Sequence, residues 1–403
     1  MTASRTRSIL PPLSPEEARH SAAVAALIHA EMAAAAGWLS FERFMELALY
    51  APGLGYYSAG SFKIGAGGDF VTAPEVSDLF GRCLARQCAE VLAVTGGEIL
   101  ELGAGSGRMA ATLLTALAAQ GRLPQRYAIL EVSADLAARQ RARLAQLPPG
   151  LRERVVWLER LPERPLQGLI LANEVADALP CRRFTCRALD VRELGVAPGE
   201  GAGEGGCADP LAFREQYAAA DASLARACRE LRAALPAPLP EGYTSEVCLR
   251  VAPWIVALSE CLGRGVLLLC DYGLPSSHYY HPQRVSGTLR CHFKQRAHDD
   301  PCVNVGVQDI SAWVDFTRVA DAGLAADLTV SGFATQAAFL LALGLEGLVA
   351  QADDTVQRAR LAGEARRLIM PEEMGEAFKI MALTRGCDSP LSGFALQDLR
   401  HLL

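Results

Sequence analysis

The sequence lacks an excess of positive charge, because 39 Lys and Arg residues are outnumbered by 45 Asp and Glu residues and the net charge is −6. Proteins that bind nucleic acid usually carry a basic field, so this composition does not favour a nucleic-acid partner. No apolar run is long enough to span a bilayer. The first residues include Arg5 and Arg7 but lack the continuous apolar segment of a secretory signal. We therefore expect no membrane insertion and a cytoplasmic protein.

The twelve cysteines lack the spacing that is typical of metal sites and redox motifs. They are scattered without a Cys-x-x-Cys pair, and several stand in apolar runs, as Cys270 does after three leucines. The histidines between 278 and 298 match no ligand spacing either. We expect reduced thiols that act as small apolar residues, and no metal site. The richness in alanine and arginine suggests a bacterial origin.

The clearest functional signal is the stretch from Glu98 to Arg108. It opens with a short apolar run, Ile99 to Leu102, which is typical of a buried strand in a parallel sheet. Three glycines follow at every second position, and a helical stretch from Met109 to Ala119 comes next. The glycines are Gly103, Gly105 and Gly107. Strand, glycine turn and helix together present backbone N–H groups and a positive helix end to a ligand.

Two details distinguish this turn from a dinucleotide-binding turn. The dinucleotide fingerprint has its third glycine three residues after the second, whereas Gly107 comes two residues after Gly105 and Arg108 occupies the next position. In addition, Glu101 stands on the strand two residues before the first glycine. A carboxylate there would repel a pyrophosphate and attract a cation. The pattern therefore favours S-adenosylmethionine, whose amino group and sulfonium are positive, over a nicotinamide cofactor.

Acidic residues follow other predicted strands. Glu131 ends the strand at 126–132, where a carboxylate can accept both ribose hydroxyls of a nucleoside, and Ser133 then caps a helix through Leu144. Asn173, Glu174 and Asp177 follow a strand at 168–172. These three indicate a substrate and cofactor edge, although Asn173 or Asp177 as a simple helix cap is the alternative.

The remaining elements are predicted more coarsely. Ser14 and Glu17 form a capping box for a helix that runs to about residue 36, and a glycine-rich loop leads to a helix from Val76. A helical insertion is expected over 211–234. The other expected segments are a strand at 265–271, a mobile basic and aromatic lid over 274–308, a helix at 309–322, a strand at 328–331, helices at 335–343 and 354–368, and a strand at 378–383.

These elements suggest four consecutive segments. Residues 1–96 form an N-terminal helical region with a loop that covers the cofactor, and residues 97–194 form the first half of a core. Residues 195–264 form an insertion. Residues 265–403 form the second half of the core, with the lid and C-terminal helices.

Several motifs together resemble the MidA family of class I S-adenosylmethionine-dependent methyltransferases, which includes mitochondrial complex I assembly methyltransferases. The motifs are Gly68-Asp69-Phe70-Val71-Thr72-Ala73-Pro74-Glu75, Glu101-Leu102-Gly103-Ala104-Gly105-Ser106-Gly107, Asn173-Glu174 with Asp177-Ala178-Leu179-Pro180, Asp271-Tyr272-Gly273 and Val314-Asp315-Phe316. The resemblance implies an α/β, Rossmann-like fold with a mostly parallel seven-stranded sheet and helices on both faces. For the mitochondrial members it implies symmetric dimethylation of an arginine on a complex I subunit.

The resemblance and the strand ends together define a predicted site. We expect Asn173, Glu174 and Asp177 to be catalytic, because carboxylates beside a guanidinium orient it by hydrogen bonds. The residues expected to bind S-adenosylmethionine are Asp69, Thr72, Glu101, Gly103, Ala104, Gly105, Ser106, Gly107, Glu131, Val132 and Asn173. The expected acceptor is an arginine of a protein substrate, with a respiratory-complex subunit as one candidate. A non-enzymatic assembly factor that retains the pocket, and a nicotinamide oxidoreductase, are the alternatives.

Overall fold

The computed structural model describes residues 10–59, 72–187, 190–199 and 211–403. Contacts between residues divide the chain into two compact units. The first unit comprises residues 10–59, 178–187, 190–199, 211–250 and 276–313, and the second comprises 72–177, 251–275 and 314–403. Each unit is assembled from separate stretches of the chain, so the contacts group the residues differently from the four consecutive segments that the sequence suggests.

The described residues form sixteen strands. In chain order they are β1 (Leu39–Ser40), β2 (Glu98–Leu102), β3 (Tyr127–Leu130), β4 (Val155–Leu158), β5 (Leu166–Asn173), β6 (Arg182–Arg187), β7 (Asp190–Pro198), β8 (Phe213–Ala219), β9 (Thr244–Val247), β10 (Leu262–Leu274), β11 (Arg290–Phe293), β12 (Arg296–His298), β13 (Asp309–Ser311), β14 (Val314–Asp315), β15 (Thr329–Thr335) and β16 (Phe378–Arg385).

The same residues form fourteen α-helices and two short 3₁₀ turns near the C-terminus. The α-helices are α1 (Pro15–Ala34), α2 (Phe41–Tyr50), α3 (Ala73–Val76), α4 (Asp78–Thr95), α5 (Arg108–Ala119), α6 (Ala134–Leu144), α7 (Pro149–Arg152), α8 (Ala222–Ala234), α9 (Val251–Glu260), α10 (Ser276–Tyr279), α11 (Phe316–Ala325), α12 (Gln336–Ala342), α13 (Leu345–Ala350) and α14 (Thr355–Ile369). Within the described ranges, none of these helices is both long and apolar enough to cross a membrane.

The second unit is built on a sheet with the strand order β15-β16-β10-β5-β2-β3-β4, to which the two-residue β14 adds beside β10. Strands β10, β5, β2, β3 and β4 pair in parallel, whereas β16 runs antiparallel to both β10 and β15. The predicted Rossmann-like, mostly parallel seven-stranded sheet is confirmed, with β14 as one short strand more. In such a sheet the carboxyl ends of the parallel strands meet at one edge, where ligands bind.

Helices cover both faces of this sheet. Ile380 lines a small cavity together with Phe80 of α4 and Phe339 of α12. Gly323 of α11 lies so close to Leu383 that an added Cβ would come within 2.9 Å of the leucine Cδ2 atom. Because successive side chains of a strand point to opposite faces, Ile380 and Leu383 mark the two sides of the sheet. Both sides are therefore shielded from water.

Two predicted helix starts are confirmed by their capping bonds. In α1 the Glu17 amide donates to Ser14 Oγ at 3.2 Å, and the Ser14 amide donates to the Glu17 carboxylate at 2.6 Å. This capping box satisfies two donors that the first turn would leave unpaired. Helix α1 ends at Ala34, two residues before the predicted end. Ser133 caps α6 by accepting a hydrogen bond from the Leu136 amide.

The first unit has its own apolar core and two sheets. One sheet has the order β1-β7-β6-β9 with β8 beside β7, and the other has the order β12-β11-β13. Helices α1 and α2 contribute Ile28, Met32 and Phe44 to the core, and the strands contribute Val196 and Cys291. Because this core shares no residue with the core of the second unit, each unit buries an apolar interior of its own.

The prediction of a helical insertion over 211–234 is wrong in its first part. Residues Phe213–Ala219 form β8, which pairs antiparallel with β7 over seven residues, and only Ala222–Ala234 is helical. Strand formation here depends on the neighbouring strand, which supplies the hydrogen-bond partners that no local pattern reveals.

Two further sequence predictions in this part of the chain are corrected. The segment predicted as a polar lid contains α10, β11 and β12, and its residues Tyr279, Tyr280 and Cys291 are buried. The helix predicted from Asp309 begins only at Phe316. It is preceded by β13 and β14, and Asp315 caps it by accepting hydrogen bonds from the amides of the next turn. Antiparallel pairing of β11 with both β12 and β13 outweighs the local polar pattern.

Candidate active site

The glycine turn after β2 adopts a backbone that suits ligand contact. Gly103, Gly105 and Gly107 have φ values of +59°, +53° and +77°, a region that side chains with a Cβ rarely adopt. Gly103 is exposed and Gly105 is half-buried, whereas Ala104 between them is buried. Helix α5 starts directly after Gly107, which has no side chain to cap it, and Ser106 Oγ accepts a hydrogen bond from the Arg108 amide at 3.2 Å. The turn therefore brings the N-terminus of α5 to the edge of the sheet.

Glu131 lies at the corresponding end of β3, and its carboxylate is held by two donors. The Ser133 amide donates to Oε1 at 2.9 Å, and Gln140 Nε2 donates to Oε2 at 2.9 Å. The next side chain, Val132, is 73% exposed, which is unusual for valine. An oriented carboxylate beside an exposed apolar side chain suits a ribose with an attached base. Both residues are among those predicted to bind the cofactor.

Glu101 points into the interior of the second unit, where Tyr127 Oη donates to its Oε2 at 2.7 Å. The side chain is buried, and this burial raises its pKa to about 7; the hydrogen bond from Tyr127 opposes the shift and the negative charge of Glu131 adds to it. The carboxyl group is therefore held below the glycine turn by the neighbouring strand. Its attraction for a cationic ligand stays a prediction.

The raised pKa of Glu101 predicts a pH dependence of stability. The folded protein keeps this proton up to pH 7, whereas an unfolded glutamate releases it near 4.5, so the free energy of unfolding falls as the pH rises between these values. From pH 5 to pH 7.5 the contribution is about 2 kcal/mol. Glu101→Gln keeps an acceptor for Tyr127 and should lose this slope.

Urea unfolding curves at several pH values test this expectation. The exposed Glu346 on α13 provides the control, because Glu346→Gln removes a carboxylate that is in contact with water and should keep the wild-type slope. Equal slopes in wild type and Glu101→Gln would show that burial does not shift the titration of Glu101.

Asn173 and Glu174 form a linked pair at the end of β5. Asn173 Nδ2 donates to Glu174 Oε1 at 3.2 Å, and the Ala73 amide donates to the same oxygen at 3.2 Å. Glu174 has a φ of +54°, a strained value for a residue with a Cβ. The Oδ1 atom of Asn173 is buried without a hydrogen-bond partner among the described residues. An orphan acceptor of this kind can be satisfied by a ligand donor such as an ammonium group.

Asp271, directly after the last residue of β10 that pairs with β5, organises the turn that follows Glu174. Its Oδ2 atom accepts hydrogen bonds from the amides of Val175, Ala176 and Asp177 at 3.2, 2.9 and 3.2 Å, and its Oδ1 atom accepts one from the Tyr272 amide at 2.9 Å. The side chain is only 2% exposed. Burial and the charge of Glu174 raise its pKa, whereas the amide donors stabilise the carboxylate and oppose this rise. Asp271 thus fixes the backbone that carries the predicted catalytic residues.

The segment from Thr72 to Asp78 forms hydrogen bonds both to Glu174, which follows β5, and to the glycine turn after β2. Ser106 Oγ donates to the Glu75 carboxylate, and Arg108 Nη1 donates to the Glu75 carbonyl oxygen at 2.6 Å. Thr72 is half-buried, and its carbonyl oxygen accepts the amides of Glu75 and Val76 in the first turn of α3. The Ala73 amide donates to Glu174, and Glu75 accepts from Ser106 of the glycine turn. Thr72 therefore lies close in the chain to residues that contact both Glu174 and the glycine turn. Asp69, predicted with Thr72, lies outside the described residues.

The second unit therefore brings together most of the predicted site and adds residues that the sequence did not single out. Asp271, Glu75 and Gln140 were absent from the predicted site. For Asp271 the available signal was its position in Asp271-Tyr272-Gly273 at the end of a strand. Glu75 stands in the motif that suggested the covering loop. No pattern in the sequence points to Gln140.

Comparison with known proteins decides the family. A family model with the description "Putative S-adenosyl-L-methionine-dependent methyltransferase" matches residues 83–334, more than half of the chain. The chain belongs to this family. The methyltransferase is also 42% identical to a COG1565 superfamily member from Burkholderia thailandensis whose crystal structure contains S-adenosyl-homocysteine; the match has a TM-score of 0.90 and covers 98% of this chain and 100% of that one. The resemblance to the MidA-like methyltransferases is confirmed.

Curated relatives are more distant. The methyltransferase is 28% identical to the mouse (Mus musculus) mitochondrial protein arginine methyltransferase NDUFAF7, over 86% of this chain and 81% of that protein. It is 26% identical to the zebrafish (Danio rerio) protein of the same name, over 87% and 84%.

The cofactor of the methyltransferase is S-adenosylmethionine, and the residues of the second unit fit it. The glycine turn offers backbone groups to the cofactor. The oriented carboxylate of Glu131 offers acceptors to its ribose, and the orphan Oδ1 atom of Asn173 offers an acceptor to its ammonium group. Individual roles of the residues predicted to bind the cofactor stay predictions. Within the described parts of the chain, no cluster of three or more His, Cys, Asp or Glu side chains could hold a metal ion.

Proposed function

We propose that the methyltransferase transfers methyl groups to an arginine of a protein substrate. The observation that supports this most strongly is the set of carboxylates at the adjoining ends of β5 and β10. Burial raises the pKa of Tyr272 most, and the charges of Glu174, Asp177 and Asp271 raise it further, so all three carboxylates act on this one phenol. A concentration of negative charge at this edge suits a cationic acceptor better than a neutral or anionic one.

An arginine side chain is protonated in water, with a pKa above 12, and is therefore a poor nucleophile. Carboxylates can accept its N–H groups, orient its plane and draw positive charge to the nitrogens that do not react. Glu174 and Asp177 are our candidates for this role, and Asn173 positions the acceptor or the methionine end of the cofactor. S-adenosylmethionine supplies, when bound, an electrophilic methyl group on a sulfonium. The protein supplies alignment and excludes water.

The curated relatives support the arginine acceptor, because both are named protein arginine methyltransferases, although their identities of 26% and 28% are low. We further propose symmetric dimethylation, with a respiratory-complex subunit as a candidate substrate. We propose the bacterial cytoplasm as the compartment, because ten of the eleven described cysteines are buried, as expected of thiols that act as small apolar residues.

Incubation with S-adenosylmethionine labelled on its methyl group and a lysate from cells that lack this protein tests the proposal. We expect one or a few labelled protein bands whose hydrolysis yields symmetric dimethylarginine. Glu174→Gln keeps an acceptor for the Ala73 amide but loses the charge, so the rate of labelling should fall by about 100-fold with little change in cofactor affinity. Asp321→Asn on the exposed face of α11 is the control and should label at the wild-type rate.

Label on lysine, on a carboxyl group or on a small molecule would contradict the arginine acceptor. Cofactor binding without any labelled product would instead favour a binding factor that keeps the pocket but does not transfer methyl groups.

A further inference from the structure

Gln140 on α6 connects the two parts of the cofactor site. The side chain is fully buried. Its Nε2 atom donates to the Gly105 carbonyl oxygen at 3.0 Å and to Glu131 Oε2 at 2.9 Å, and its Oε1 atom accepts a hydrogen bond from Trp157 Nε1 at 3.0 Å. Both amide hydrogens and the amide oxygen are thus used.

These three partners define the orientation of the amide without ambiguity. The Trp157 indole nitrogen can only donate, whereas the Gly105 carbonyl and the Glu131 carboxylate can only accept. A flipped amide would place an NH₂ group against the indole N–H and an oxygen against two acceptors. The oxygen of Gln140 must therefore face β4, and its NH₂ group must face both the glycine turn and the end of β3.

The backbone of Gln140 also lies against the glycine turn. A Cβ added to Gly107 would come within 3.2 Å of the Gln140 Cα atom. The last glycine of the motif therefore allows α6 to approach closely enough for the amide to reach the Gly105 carbonyl.

We propose that Gln140 is a positioning residue for the cofactor. By holding the Gly105 peptide and the Glu131 carboxylate with one amide group, it fixes the distance between the turn and the ribose-binding acid, and Trp157 fixes the amide. This proposal rests on the assignment of Gly105 and Glu131 to the cofactor site. It gives Gln140 an effect on cofactor affinity that a purely structural glutamine would not have.

The test measures the affinity of the full-length protein for S-adenosylhomocysteine by calorimetry, which needs no acceptor. Gln140→Leu should weaken binding by about 30-fold, because the carboxylate and the turn lose a shared donor. Trp157→Phe, which keeps the ring and removes the donor to Gln140, should weaken it by less than about 5-fold. Gln87 on α4 offers a matched control, since it is also fully buried and bonds to Glu90 and the Gly393 amide. Gln87→Leu should lower thermal stability and leave the affinity unchanged.

Gln140→Glu gives a second readout, which is the change of affinity with pH within one variant. A protonated glutamic acid at this position can donate one hydrogen bond, whereas the ionised form repels Glu131. The affinity of this variant should therefore fall by about 10-fold or more as the pH rises from 5.5 to 8.5, with a much smaller change in the wild type. If Gln140→Leu does not fold, this pH profile decides the question.

The double variant Glu131→Gln with Gln140→Leu completes the test. If Gln140 acts through Glu131, the loss of affinity in the double variant is smaller than the product of the two single losses. The proposal would be overturned by wild-type affinity in Gln140→Leu, or by a pH profile of Gln140→Glu equal to that of the wild type. If Glu131→Gln still binds more weakly than the wild type in that case, the assignment of the cofactor site is kept. Wild-type affinity in Glu131→Gln would instead remove the cofactor site on which the proposal rests.

Discussion

Replacing Gly105 by valine is expected to abolish measurable binding of S-adenosylhomocysteine, with a loss of affinity of more than about 1000-fold. The φ of +53° at this residue is strongly unfavourable for a β-branched side chain, so the turn must change its backbone. A changed backbone also moves the Gly105 carbonyl away from Gln140, and the new isopropyl group occupies the half-exposed side of the turn. Calorimetric titration of the purified variant measures the effect.

Gly121, which follows α5, provides a control with matched backbone strain. It has a φ of +63°, is exposed, and an added Cβ would meet no atom within 4 Å. Gly121→Val should therefore lose stability by about 1–2 kcal/mol and bind S-adenosylhomocysteine as the wild type does. Equal affinity in Gly105→Val and Gly121→Val would show that the glycine turn does not contact the cofactor.

Asp271→Asn is expected to lower the rate of methyl transfer by about 1000-fold and to change cofactor affinity by less than about 5-fold. The carboxylate accepts four backbone amides at once, three of them in the turn after Glu174. An asparagine keeps one oxygen and brings an NH₂ group against N–H donors, so the turn must shift and both Glu174 and Asp177 move with it. The expected effect exceeds that of Glu174→Gln because two carboxylates are displaced together.

The measurement is the initial rate of label transfer to the acceptor protein at saturating cofactor, and Asp321→Asn again provides the control. Thermal unfolding should show a loss of about 1–3 kcal/mol, since buried amides lose their acceptor. A wild-type transfer rate in Asp271→Asn would mean that the turn from Val175 to Asp177 takes no part in catalysis.

The sequence predicts the strands of the second unit well because each of them has a recognisable local pattern of residues. The runs that became β2, β3 and β5 are short, apolar and followed by glycines or polar residues, and each was placed within a few residues of its observed bounds. The positions of Gly105, Glu131 and Asn173 at one edge of the sheet could be predicted from the same pattern, and their part in binding stays a prediction.

The first unit was predicted poorly for a different physical reason. Strands β8 and β13 acquire their hydrogen-bond partners from β7 and β11. The sequence of β8 lacks an alternation of apolar and polar residues, and β13 is only three residues long. The role of Asp271 also depends on distant residues, because it follows from the pairing of β10 with β5, which brings residue 271 to the amides at 175–177. Neither kind of information is present in a local window of sequence.

The position of β16 has a consequence for how the protein is made. Strand β16 (Phe378–Arg385) lies between β15 and β10 in the sheet. Both neighbours are translated before β16, so neither can pair with it until it has been synthesised. Until it leaves the ribosome, the apolar stretch from Val266 to Cys270 has an open backbone edge, which favours pairing with other chains. We therefore expect chaperones to bind nascent chains that end before Phe378. The same chains should self-associate when chaperones are limiting.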